Sequence, residues 1–306
     1  MSLTLLAVQT LNGLQLGILL FLIAAGLTLV FGVMDFINLA HGVQYMVGAF
    51  LAVAFFDLTG NFFAAVVLAL GGSLLLGLVL EIFVFRRLYS RSHLDQVLAT
   101  FGIILFLNEA VRVIWGSTPL SLPAPRILSG SIPLMDGLRY PVYRLAILAA
   151  GLAVAALLYV LVTYTRAGML VRAGASNAPM VSALGVDIGR LFMVVFGFGA
   201  MLAGFAGIMA APILSVESGM GDNLLILAFV VIVIGGIGSI RGAFIGALVV
   251  GLVDTLGRSF ATDAFKLVLS PSAANEVGPA LASMLVYLLM AAILFLSPTG
   301  LFGARN

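Results

Sequence analysis

Apolar runs approaching the length of a bilayer crossing recur along this sequence, and little between them could face water. Charged residues make up 8% of the chain and hydrophobic ones 63%, against about 25% charged in a soluble domain. Such a chain cannot clothe a water-facing surface. It reads as an all-α integral membrane protein, since roughly 20 apolar residues cross a bilayer as helix. The segments are too long for barrel strands and do not alternate as barrel strands do. The sequence has no cysteine, which removes disulfides, thiol nucleophiles and Cys-ligated metals. His41 and His93 are the only histidines, so no metal site or cofactor is expected. A cleavable signal opens with a positive stretch, whereas the first basic residue is Arg86 and Gln9, Asn12 and Gln15 interrupt the opening run.

We expect one membrane domain over 1–306, a bundle of about eight transmembrane helices. The spans fall at 10–31, 43–57, 62–84, 97–115, 142–164, 190–212 and 280–296, with a broken pair at 224–235 and 243–257. Arg86, Arg87 and Arg91 share one loop, and Arg166, Arg172 and Arg190 share another, two spans away. The positive-inside rule puts both loops in the cytoplasm. The proline-rich loop 116–141, with Arg126, Asp136 and Arg139, is then external, the N-terminus lies outside, and the tail with Arg305 lies inside.

Two interruptions stand out. FGVMDFINLAHGVQ, residues 31–44, sets Asp35, Asn38, His41 and Gln44 between two apolar runs. The first reading is a short wet turn; the second is a break that shapes a polar path inside protein. GGIGSIRG, residues 235–242, is unfavourable in a continuous helix. Two short half-helices meeting there, re-entrant or barely spanning, fit the roughly 35 residues available, where two crossings need about 40. Irregular backbone survives at membrane depth only against protein or a wet cavity. Asn38, His41, Gln44, Gly235, Gly236 and Ser239 are therefore the candidate translocation-path residues.

The loop TRAGMLVRAGASNAPMVSALGVDIGR, about 165–190, holds a second candidate. Asn177 suits an N-cap, Pro179 the first turn and Gly185 the C-terminal cap. A helix over 178–184 follows, with Met180, Val181 and Leu184 at helical spacing. So short a helix is marginal alone. It lies on lipid headgroups or docks as a knob on a soluble partner. Small residues four apart (Gly199, Ala203, Gly207, Ala211; Gly242, Gly246; Ala247, Gly251) predict close helix contacts. Glu109–Arg112 and Asp254–Arg258 are spaced to pair. Glu81 reads as interfacial, and Glu217 and Asp222 as external loop.

Four segments, in register over nearly the whole chain, resemble the branched-chain amino acid ABC transporter permeases of the LivH type. They are AGLTLVFGVMDFINLAHGVQYMVGAF, RAGMLVRAGASNAPMVSALGVDIGRLFMVVFGFGAMLAGFAGIMAAP, AFVVIVIGGIGSIRGAFIGALVVGL and SPTGLFG. The resemblance implies a permease subunit of a bacterial inner-membrane importer. It also implies a second permease subunit, homologous or identical, two ABC ATPase subunits and a periplasmic solute-binding protein, with no nucleic acid. In that picture Asn177, Pro179, Met180, Val181, Leu184 and Gly185 form the coupling helix. The family often has an acidic pair where this chain has Ser176 and Asn177, which bears on the ATPase contacts. Its N-F-A-H-G-like element is here Asn38-Leu39-Ala40-His41-Gly42. No catalytic residues appear: GGIGSIRG lacks the GK[ST] of a phosphate loop. The alternatives are a permease of this family for urea or an amide, a nucleoside or a sugar, and a stand-alone secondary transporter. The latter wants mid-span carboxylates, whereas those here cluster toward span ends.

Overall fold

A computed structural model describes residues 3–135 and 138–303; Asp136 and Arg305 lie outside the described residues. Its helices are α1 (Leu3–Met34), α2 (His41–Thr59), α3 (Phe62–Phe83), α4 (His93–Trp115), α5 (Val142–Tyr164), α6 (Arg166–Ala183), α7 (Ile188–Ala210), α8 (Asp222–Gly235), α9 (Ile240–Phe265) and α10 (Pro271–Leu296). A small antiparallel ribbon, β1 (Ser131–Met135) and β2 (Leu138–Pro141), sits in the loop before α5. Eight of the helices, all but α6 and α8, are long and apolar enough to cross a membrane.

α1 runs through the middle of the bundle. Every residue from Gly17 to Val30 is buried, the pattern of a helix apolar all round. Its neighbours approach on glycine. Gly13 and Gly17 face Gly251–Leu252 and Ala247–Leu248 of α9, and Gly26 faces Gly199 of α7. On α7, Gly204 meets Gly48 and Gly207 meets the backbone of Tyr45, both on α2. The small-residue rows thus seat α7 on α1 and α2, and α9 on α1. Lipid offers no hydrophobic gain for such contacts, so backbone-close packing carries them.

One end of the bundle gathers the arginine loops. Phe36, just past α1, packs its ring 5.2 Å from Phe85 and 5.6 Å from Tyr89. Phe192 and Phe196 of α7 complete the cluster against Tyr89 and Phe85. Gly238 lies against Gly32, and Gly174 against Val33 and Leu191. The C-terminal ends of α1, α3, α5 and α8, the starts of α4, α7 and α9, and all of α6 therefore share this end.

The pairs Glu109–Arg112 and Asp254–Arg258 form as their spacing predicts, each at 2.9 Å. Glu81, read as interfacial, lies beside the arginine loop but is buried within the protein. Its side chain is 0% exposed and takes Arg86 through both carboxylate oxygens, at 3.2 and 2.9 Å. Tyr89 donates to it as well, at 3.2 Å. Burial first, then the Glu81 charge, hold the Tyr89 phenol above its usual range, so it remains the donor.

The broken pair also differs from expectation. α8, with 14 residues, is a true half-helix of about 21 Å. α9, with 26 residues, is a full crossing of about 39 Å. The helix continues past 257 because Arg258 reaches back to the 6%-exposed Asp254, leaving no polar break there. Ser270 caps α10 and Pro271 fills its first turn, so the expected external stretch 258–278 is largely helix.

Candidate functional site

The interruption at 31–44 and the loop before α8 bring two helix starts together, and the break at 235–242 lies apart from them. After Met34, Asp35 turns the chain with φ of 49°, a left-handed conformation that aspartate tolerates better than most residues. Residues 35–40 then run back between the helices. The Ile37 N–H donates to Gln96 Oε1 at 3.3 Å. His41 opens α2 beside the middle of α1, its Nε2 3.1 Å from the Ile23 carbonyl oxygen. A carbonyl only accepts, so this nitrogen carries the proton. The imidazole fits because Gly26 has no side chain; a Cβ there would lie 2.8 Å from Nε2.

The chain re-enters from the opposite end as well. Val216 pairs with Leu120 across a single bridge. Ser218 donates to the Asn108 carbonyl at 3.1 Å, and the Gly219 N–H to Asn108 Oδ1 at 3.2 Å. Gly221 then precedes α8 with its backbone pressed on Gly42; neither position has room for a Cβ. The starts of α2 and α8 thus meet through the buried backbones of Gly42 and Gly221, with Asp222 and Asn223 exposed beside them. Neither start has a side-chain cap, nor does α5, whereas α3, α4, α6, α7, α9 and α10 are capped. Two uncapped starts concentrate unpaired N–H groups and positive dipole ends at one place.

The polar residues singled out in 31–44 sit around the α2 start. Asp35 is exposed, but Asn38 and His41 are 0% and Gln44 1% exposed. Both amide atoms of Asn38 and the hydroxyl of Tyr45 have no protein hydrogen-bond partner. An unmet buried polar group costs about 1–3 kcal/mol, so these are groups that a polar solute or water would relieve. Sequence reasoning passed over Tyr45, and it assigned Asp222 to a loop. Asp222 is the exposed first residue of α8. Gly221 is the residue just before α8, whereas Gly42 is the second residue of α2, so no shared local pattern marked the pair.

Gly235, Gly236 and Ser239 fall elsewhere. Gly235 packs backbone to backbone on Gly242, closing the turn between α8 and α9. Ser239 caps α9, its Oγ accepting from the Gly242 N–H at 3.0 Å. Gly236 has φ of 97° and lies against Phe302 and Gly303. Here the SPTGLFG segment does structural work that its sequence does not announce. The N–H groups of Leu301 and Phe302 donate to the carbonyls of Ile234 and Gly235 at 2.9 and 3.0 Å. The late segment thereby satisfies the last carbonyls of the half-helix.

The loop 165–190 holds the expected short helix and more. Thr165 caps a first piece, with its Oγ1 accepting from Gly168 N–H at 3.1 Å. The helix breaks at Asn177 (φ −158°, ψ 84°) and restarts. Asn177 Oδ1 accepts from the Met180 N–H at 2.9 Å, and Pro179 stands in the new first turn. At the other end Gly185 takes φ of 89°, and the Val186 N–H returns to the Val181 carbonyl at 3.3 Å, a Schellman-type stop. Val181 is 7% exposed, but Met180 is 59% and Leu184 78% exposed. The helix therefore anchors by Val181 and presents Met180 and Leu184 outward. Asn177→Ala removes the cap at a cost of about 1 kcal/mol. Amide hydrogen exchange over 178–184 should then speed up roughly fivefold, with the rest of the chain unchanged.

These features define a class: a multi-pass membrane protein in which two helix starts meet backbone to backbone. The chain belongs to the family described as "Branched-chain amino acid transport system / permease component", which matches residues 9–294. It is 29% identical to the high-affinity branched-chain amino acid transport system permease protein LivH of Escherichia coli (strain K12), over 96% of this chain and 94% of that protein. BraD of Pseudomonas aeruginosa, a permease protein of the same description, is 28% identical over 96% of this chain and 95% of its own length. A probable branched-chain amino acid transport permease protein LivH of Methanocaldococcus jannaschii is 26% identical over 81% of this chain and 79% of its own. No solved structure matches the chain.

Proposed function

We propose that this chain is a membrane-spanning subunit of an ATP-driven importer for branched-chain or other hydrophobic amino acids. A solute-binding protein delivers the ligand on the outer side. A second permease subunit completes the path, and two ABC ATPases engage the arginine-rich end, which faces the cytoplasm of a bacterial inner membrane. The observation that carries the reading is the capped helix 178–184, fixed by Val181 and offering Met180 and Leu184 to a soluble partner. Asn177, Pro179 and Gly185 set its start and stop.

The path runs past the meeting of α2 and α8. Asn38, His41, Gln44 and Tyr45 supply hydrogen-bonding groups, and the uncapped helix starts favour a carboxylate. Leucine, valine and phenylalanine around them tolerate an aliphatic side chain. Gly235, Gly236 and Ser239 serve the path by closing the inner end of α8. Selectivity rests with the delivering protein, so a weak transient site is sufficient.

The test is uptake by the reconstituted complex, with candidate binding proteins and ligands, with and without ATP. ATP-dependent leucine, isoleucine or valine uptake supports the reading. Uptake driven by an ion gradient without ATP, or failure of every ATPase subunit to co-purify, overturns it.

A further inference from the structure

A slot lies between α5 and α9, floored by α1. Phe21 of α1 forms the floor, set edge-on to Phe244 of α9 at 5.1 Å. Ala155 and Ala156 of α5 make a thin wall, and the slot encloses about 380 Å³. A second cavity of about 340 Å³ continues toward Arg172, Gly238 and Ser239. Tyr159, Ile240 and Arg241 line both, so an apolar slot opens directly into a polar mouth.

The mouth is cationic. Arg241 Nη2 donates to the Tyr159 hydroxyl at 3.1 Å, and its guanidinium carbon stands 5.1 Å from the Tyr159 ring centroid. Tyr159 thus fixes the guanidinium while leaving its other N–H groups free to donate. Among the described residues neither Arg172 nor Arg241 has a carboxylate partner. The first-turn N–H groups of Ile240 and Arg241 have no intrahelical acceptor, and the positive end of α9 adds to the field. Ile245, in the wall of the slot, is an exposed apolar side chain.

We propose that this slot binds one anionic glycerophospholipid. Its phosphate sits between Arg172 and Arg241, and an acyl chain lies over Phe21 and Phe244. Charge complementarity selects the occupant: basic pockets between transmembrane helices take anionic headgroups, while the tail-shaped apolar slot excludes a free anion as the natural guest. The site is independent of the translocated solute.

The protein would be placed in nanodiscs of mixed phosphatidylglycerol and phosphatidylethanolamine, then delipidated in mild detergent, with retained lipid read by native mass spectrometry. Wild type is expected to keep phosphatidylglycerol after phosphatidylethanolamine is stripped. Arg172→Gln with Arg241→Gln should weaken retention by about fivefold per arginine. Ala156→Trp fills the slot with both arginines intact and should also lose the lipid. Millimolar inorganic phosphate should not displace it. Equal retention of both lipids, retention unchanged in both variants, or displacement by phosphate overturns the proposal. So does a photo-crosslinker at Ile245→Cys that captures a second permease chain in place of lipid. If the double glutamine variant is not monodisperse, the Ala156→Trp and phosphate arms decide alone.

Discussion

Gly221→Leu is expected to prevent stable assembly of the bundle. A Cβ at Gly221 would overlap the Gly42 carbonyl, and one at Gly42 would lie 2.7 Å from the Gly221 oxygen. Ordinary overpacking costs about 1–3 kcal/mol when side chains can shift rotamer. Here the obstacle is main chain on both sides, so the cost should reach roughly 3 kcal/mol or more. The readouts are the yield of monodisperse protein in detergent and its thermal midpoint. Gly102→Leu is the matched control: it adds the same bulk to α4, where nothing lies within 4 Å, and should behave as wild type. A Gly221→Leu protein with a wild-type midpoint would show that the two helix starts do not hold each other.

The second large effect is expected at the tip of α6. Met180→Asp with Leu184→Asp should abolish ATP-dependent uptake while leaving membrane insertion and the thermal midpoint unchanged. Both side chains are exposed in the isolated chain, so their loss removes no packing within it. Docked on a partner, each would contribute about 1.5–3 kcal/mol by burial. The paired substitution should therefore weaken ATPase retention by a hundredfold or more, counting roughly tenfold per 1.4 kcal/mol. Normal uptake by the double variant would place the ATPase contact elsewhere.

The spans were legible because membrane helices announce themselves by the length of their apolar runs. The caps at Asn177 and Gly185 were legible for a different reason: capping chemistry is local, and a few residues specify it. Tertiary facts were not. Nothing in the run around Glu81 marks it as the buried partner of Arg86 and Tyr89, since the spacing suits an interfacial residue equally well. The length of α9 was missed because Gly257 and Arg258 imitate a helix end. The Asp254–Arg258 pair was legible from its spacing, yet the expected span stops at 257. The interruption at 31–44 was visible, but its depth was not. That Gly42 meets Gly221 depends on how two distant segments fold back, and a single sequence does not encode such pairings in any local pattern.

The seal on α8 bears on biogenesis. Its last carbonyls stay unmatched until Leu301 and Phe302 have been synthesised, long after the half-helix has left the ribosome. The closure of α8 therefore couples two segments far apart in the chain, and it forms only when the later one docks.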